Sequence, residues 1–87
     1  MELRKVKVCD THGLHLRTAA RLVETAKKFK SRIYLCHNCK FADSCSILEV
    51  MGLAASRDSE VAVIVEGPDE KAAAGKITEF FERGAGI

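Results

Sequence analysis

The apolar residues of this chain alternate between two spacings, and each spacing suits only one kind of backbone. Over residues 3–9, Val6 and Val8 interleave with Lys5 and Lys7, which reads as a strand with one buried face. Residues 10–14 read as a loop. Over 16–29 the period lengthens: Leu16, Ala19, Ala20, Val23, Ala26 and Phe29 form a helical stripe, leaving Arg21, Glu24, Lys27 and Lys28 to solvent. The shorter period returns over 32–36, where Ile33 and Leu35 alternate with Arg32 and Tyr34. His37-Asn38 then reads as a hairpin turn and 40–42 as a return strand.

Residues 46–53 read as a short helix with Ile47, Leu48, Val50, Met51 and Leu53 on nearly all sides, and Asp43, Ser44 and Ser46 are each capable of capping it. Residues 61–65 are apolar throughout, as a central strand requires. Gly67-Pro68-Asp69-Glu70 opens the last helix, which Ala73, Ile77, Phe80 and Phe81 tie to the core and Gly84 ends. The order β-α-β-β-α-β-α predicts an α+β fold of two layers, one sheet with its helices on one face. At 87 residues there is room for one core, so residues 1–87 are expected to form a single domain.

The loop before the first helix carries the chemistry. Gly13-Leu14-His15-Leu16-Arg17 puts one histidine at a helix start, with a glycine before it and an arginine after. An imidazole nitrogen is a nucleophile near neutral pH. The N–H groups of a helix's first turn bind an anion, and a guanidinium clamps phosphate oxygens. The set therefore reads as a reversible phosphoryl acceptor, His15 the nucleophile and Arg17 the clamp. His12, in the same loop, reads as a solvated residue. A helix as short as 46–53 cannot bury every side, so part of the Ile47, Leu48 and Met51 set should face outward as a docking patch. Val50 and Leu53 read as core.

Other functions fit less well. The chain is 47% hydrophobic and 30% charged, the composition of a folded domain. A net charge of +2, with bases interleaved among acids, argues against nucleic acid as a partner. No apolar run reaches the length of a membrane span, and the start Met-Glu-Leu-Arg-Lys lacks a signal peptide's apolar segment, so the expected location is the cytoplasm. There, Cys9, Cys36, Cys39 and Cys45 are thiols or metal ligands before they are disulfides. Cys36-His37-Asn38-Cys39 is half of a zinc knuckle, Cys45 could add a third thiolate, and Cys9, His37 or a residue from a second copy a fourth ligand. Oxidation across Cys39 and Cys45 is a further option.

The chain resembles HPr, the histidine phosphocarrier family of the bacterial sugar phosphotransferase system, over nearly its whole length. The likeness rests on Gly13-Leu14-His15 with Arg17 and the pair Ala19-Ala20, on Ser46-Ile47-Leu48 running through Val50-Met51 into Leu53-Ala54-Ala55, and on Glu66-Gly67-Pro68-Asp69-Glu70. It implies an open-faced β-sandwich, four antiparallel strands with three helices on one face. It also implies a cofactor-free carrier, not a stand-alone enzyme, that takes phosphate from enzyme I, charged by phosphoenolpyruvate, and passes it to enzyme II components of the A type.

Position by position, His15 resembles the phosphorylated histidine and Arg17 its arginine partner. Ser46 resembles the site modified by a dedicated serine kinase, with its phosphatase, in many relatives. Three departures stand out. The family usually has proline at Thr18, alanine at Leu16 and often a basic residue at Cys45. The hydroxyl of Thr18 is expected to cap the helix or to touch the phosphate. Two other readings use the same scaffold: a regulatory module that signals its phosphorylation state to kinases or transcription regulators, and a thiol-based metal or redox sensor.

Overall fold

Strand β4 (Glu60–Glu66) lies inside the sheet because both of its faces are apolar: Val61, Val63 and Val65 are fully buried on one side, and Ala62 and Ile64 half-buried on the other. The computed structural model, which describes residues 1–9 and 13–83, arranges β1 (Glu2–Lys7), β4, β2 (Arg32–His37) and β3 (Lys40–Asp43) in that order, every neighbour antiparallel. The register sets Val63 opposite Leu35, and Leu35 opposite Ala42, so one inward row crosses three strands.

Helices α1 (Leu16–Ala26), α2 (Ile47–Gly52) and α3 (Glu70–Glu82) cover that inward face. Ala19 and Leu22 of α1, Val50 of α2, and Ala73, Ile77 and Phe81 of α3 join the strand valines in one hydrophobic cluster. Phe80 and Phe81 pack edge to face at 5.6 Å. Fully burying a side chain such as Leu22 or Ile77 contributes about 1.5–3 kcal/mol. The opposite face of the sheet is open, with Leu3, Tyr34 and Phe41 exposed on it. The expected architecture is therefore present, an open-faced four-stranded antiparallel sheet with three helices on one side.

Several details differ from the sequence reading. The buried face of α1 is Thr18, Ala19, Leu22, Val23 and Ala26. Leu22 replaces Leu16 in the stripe, and Leu16, in the first turn at the stripe's edge, is 61% exposed. The helix ends at Ala26, short of Phe29, because Lys28 and Phe29 donate to carbonyls only three residues back (both 3.2 Å), and that tighter turn swings Phe29 against the core edge. In the hairpin His37 pairs with Lys40, so the turn is Asn38-Cys39 rather than His37-Asn38. Both turn residues take positive φ (49° and 64°), the requirement of a type I′ turn, with Cys39 in the place that glycine usually fills.

Of the three candidate caps of α2, Ser46 does the work, its hydroxyl accepting the Glu49 N–H at 3.3 Å. The Glu49 carboxylate reaches back to the Asp43 N–H at 3.1 Å. Ser44 is fully buried, and its hydroxyl has no hydrogen-bond partner among the described residues. At the start of α3, the Asp69 carboxylate faces away from its own helix and accepts from the Ser31 hydroxyl and, at 2.9 Å, from the Lys30 N–H. Gly67 permits this close approach: at φ +155° a side chain there would collide with Ser31. Gly84 lies outside the described residues.

Two stability measurements follow. An unpaired buried hydroxyl costs free energy, so Ser44→Ala should raise stability by about 1 kcal/mol in urea unfolding; a loss would mean that a buried water pairs with it. The Ser31 hydroxyl, then the Lys30 amide, hold Asp69 below the ordinary carboxylate range. A depressed pKa stabilises the fold above the unfolded value, and the contribution fades as pH falls through the folded one. The stability gap between wild type and Asp69→Ala should thus be full at neutral pH and close in acid, below the usual carboxylate range; a gap constant with pH would contradict this tie.

Candidate functional site

His15 is the N-cap of α1, with extended backbone (φ −88°, ψ 179°), and its carbonyl accepts the first helical bond from Ala19 at 2.8 Å. Leu16, Arg17 and Thr18 form the first turn of α1, where backbone N–H groups point out of the helix end, and that turn contains no acid. The imidazole, only partly exposed, therefore stands at the positive dipole end of the helix. Its Nε2 lies 3.0 Å from the Thr18 hydroxyl.

The loop is held from the far side. Leu14 is buried, and its N–H donates to the Ala55 carbonyl at 3.0 Å, just past α2. Gly13, at φ +71°, passes so close that a Cβ would collide with the same carbonyl and lie 2.9 Å from the Ser56 Cα. The His15 N–H returns to the Gly13 carbonyl at 3.1 Å. Arg17 projects from the same turn, exposed. Gly13, His15 and Arg17 are thus neighbours at the start of α1. His12 lies outside the described residues.

Exposed apolar side chains stand on the two helices next to this loop. Leu48 is 82% exposed and Met51 is also open, whereas Ile47 turns partly into the core; Val50 and Leu53 are buried as expected. Helices α1 and α2 pack together, and Leu16, next to His15 at the start of α1, is exposed as well. The Thr18 contact with the ring and the Ala55 clamp were both missed from the sequence. The three-residue step from His15 to Thr18, one helical turn, was the available signal for the first. Nothing local to Ala55 announced the second.

The thiols do not converge. Cys36 lies on β2, Cys39 in the hairpin turn and Cys45 beyond the far end of β3. At ~3.3 Å per residue, the strand between Cys39 and Cys45 separates them by well over 10 Å, while two sulfurs on one zinc each lie ~2.3 Å from it. All four cysteines are free, and the described residues contain no group of three or more ligands placed to hold a metal ion. The expected Cys36, Cys39, Cys45 zinc site and the Cys39–Cys45 bridge are corrected accordingly. Cys9 is exposed beside Lys7, and the ring of His37 approaches the Glu60 carbonyl at 3.3 Å, so neither completes such a site. A cleft of about 350 Å³, floored by Phe29 and Phe80, opens at the other end of α1 and does not include His15. No helix among the described residues is long and apolar enough to cross a membrane.

Comparison with known proteins bears on this geometry. Residues 3–83 match the family model described as the PTS HPr component phosphorylation site. The phosphocarrier protein HPr of Treponema pallidum is 39% identical over 82 residues, covering 94% of this chain and 93% of that protein. Among solved structures, HPr-C-His from Thermoanaerobacter tengcongensis superposes with a TM-score of 0.94 at 32% identity, covering 100% of this chain and 98% of the other. Crh, the catabolite repression HPr of Bacillus subtilis, gives 0.67 at 35% identity, covering 92% and 95%.

The clamp behind the loop predicts its own failure. Gly13→Ala combines positive φ with a backbone collision and should cost about 2 kcal/mol or more. The ring resonances of His15 should shift with it. A variant as stable as the wild type would show that the loop does not need this close approach.

Proposed function

Since the chain belongs to the HPr family of phosphotransferase-system phosphocarriers, we propose that His15 accepts a phosphoryl group from enzyme I, charged by phosphoenolpyruvate, and passes it to an enzyme II component of the A type. The observation that carries this reading is the position of the imidazole at the N-cap of α1, beside a first helical turn that contains no acidic residue. The incoming group is a dianion, and it takes the place of a carboxylate at that helix end. Arg17 clamps its free oxygens, and the first-turn N–H groups hold the rest. The protein contributes placement and charge balance, as a carrier and not a stand-alone enzyme. No cofactor enters the scheme.

A site on the surface, away from the cleft at the other end of α1, suits a phosphoryl donor and acceptor that are themselves proteins. Leu48 and Met51, with Ile47 at their edge, form the surface on which such partners dock, and Leu16 extends it beside the reacting ring. Ser46 caps α2 at the margin of that surface. Phosphorylation by a serine kinase, reversed by a phosphatase, would add charge there without unfolding the helix, because an anion suits a helix start. The reaction places the carrier in the cytoplasm, where phosphoenolpyruvate is made.

The fold is shared with a catabolite repression protein, and so does not by itself separate relay from signalling. His15 with Arg17 favours the relay. Incubation with enzyme I and phosphoenolpyruvate should yield an acid-labile phosphoprotein that loses its label to an A-type enzyme II. His15→Ala should take up none, and Arg17→Ala should transfer at least about tenfold more slowly while staying folded. Full labelling of His15→Ala would remove the residue from the scheme. Labelling of the wild type without onward transfer to any enzyme II would favour the signalling role.

A further inference from the structure

We infer that Thr18, in place of the family's usual proline, is the positioning residue of His15: its hydroxyl accepts the Nε2 proton and so presents Nδ1 to the phosphoryl donor. This deepens the proposed transfer and rests on it. The contact is 3.0 Å between Nε2 and the Thr18 Oγ1. Thr18 is 2% exposed, on the core-facing side of α1. Its β-branched side chain holds few rotamers in a helix, so the hydroxyl is a fixed point for a mobile ring.

Geometry decides the roles. Nε2 faces a buried hydroxyl, where a phosphoryl group held by another protein cannot reach it without breaking that contact. The reacting nitrogen is therefore Nδ1, and its lone pair is present only when the proton sits on Nε2. Thr18 must then be the acceptor. In the transfer step, that lone pair forms the new N–P bond while the bond from phosphorus to the donor breaks and its electron pair returns to the donor atom. The Nε2 proton stays where it was. The ring now carries positive charge, and its bond to Thr18 becomes charge-assisted, stronger than before. Onward transfer reverses the sequence, the N–P electron pair returning to Nδ1. Thr18 thus supports the charged, phosphorylated ring more than the resting one, which is how a positioning contact raises a rate.

The experiment reads the ring nitrogens directly. In the ¹⁵N spectrum of His15 with the ring neutral, the wild type should show a protonated Nε2 and a bare Nδ1. Thr18→Val has the same shape without the hydroxyl; it should bring the two nitrogen shifts together as the tautomers average, and slow labelling by enzyme I and phosphoenolpyruvate about tenfold, the size of one charge-assisted bond. Thr18→Ser should recover both. The backbone amide spectrum monitors folding. Should the valine variant fail to fold, the wild-type ring spectrum and the serine variant still decide. A proton on Nδ1 in the wild type overturns the inference. So does a folded Thr18→Val with unchanged ring shifts and rate, or a folded Thr18→Ser that leaves the ring nitrogens averaged or the rate lowered. Failure of the transfer itself is a separate result, since wild-type protein that takes up no label at all contradicts the carrier reading and not this contact.

Discussion

The bond from the Leu14 amide to the Ala55 carbonyl fixes where α1 begins. Leu14 anchors the loop from below, Gly13 lets two backbones touch, and His15 follows at once as the N-cap. A helix that started a residue earlier or later would rotate the ring by about 100° around its axis. The first-turn amides and the Thr18 hydroxyl would then no longer lie beside it. A contact between a loop and the segment after α2 thus aligns chemistry that belongs to α1. It also joins the ring to the helix that Ser46 caps.

The site's exposure agrees with its electrostatics. The first turn of α1 contains no carboxylate, and its positive dipole end favours an arriving anion. The proposed relay, in which a phosphoryl group arrives on one protein and leaves on another, requires a reachable ring and exposed apolar residues for those proteins to recognise. Leu16 and Leu48 carry that cost in exposed surface. The sheet and the buried faces of α1 and α3 supply the rigidity that keeps such an open site in register.

Much of the fold was legible because strong periodicity marks elements packed on one core. The valines of β4 marked a central strand and the alternation in β2 a second one, and the motif from Gly13 to Arg17 marked the candidate site. The misreadings have physical causes. Leu16 and Leu22 are chemically identical, and only the helix's orientation on the sheet decides which is buried. The hairpin turn moved one residue because Cys39 accepts a positive φ that favours glycine. Four cysteines within a short chain resembled a ligand set until a strand separated them. The contact of Thr18 with the ring was overlooked for another reason: a hydroxyl at a helix start looks like a capping group, which masks the one-turn step that sets it beside His15.

The central claim is that the amides at the tip of α1 hold the transferred phosphate. Backbone ¹H–¹⁵N spectra recorded before and after phosphorylation test it residue by residue. The amides of Leu16, Arg17 and Thr18 should move furthest downfield, as N–H groups do when they take on a charged acceptor, while those of β1 and β4 stay in place. First-turn amides that remain still in a fully phosphorylated sample would contradict the account.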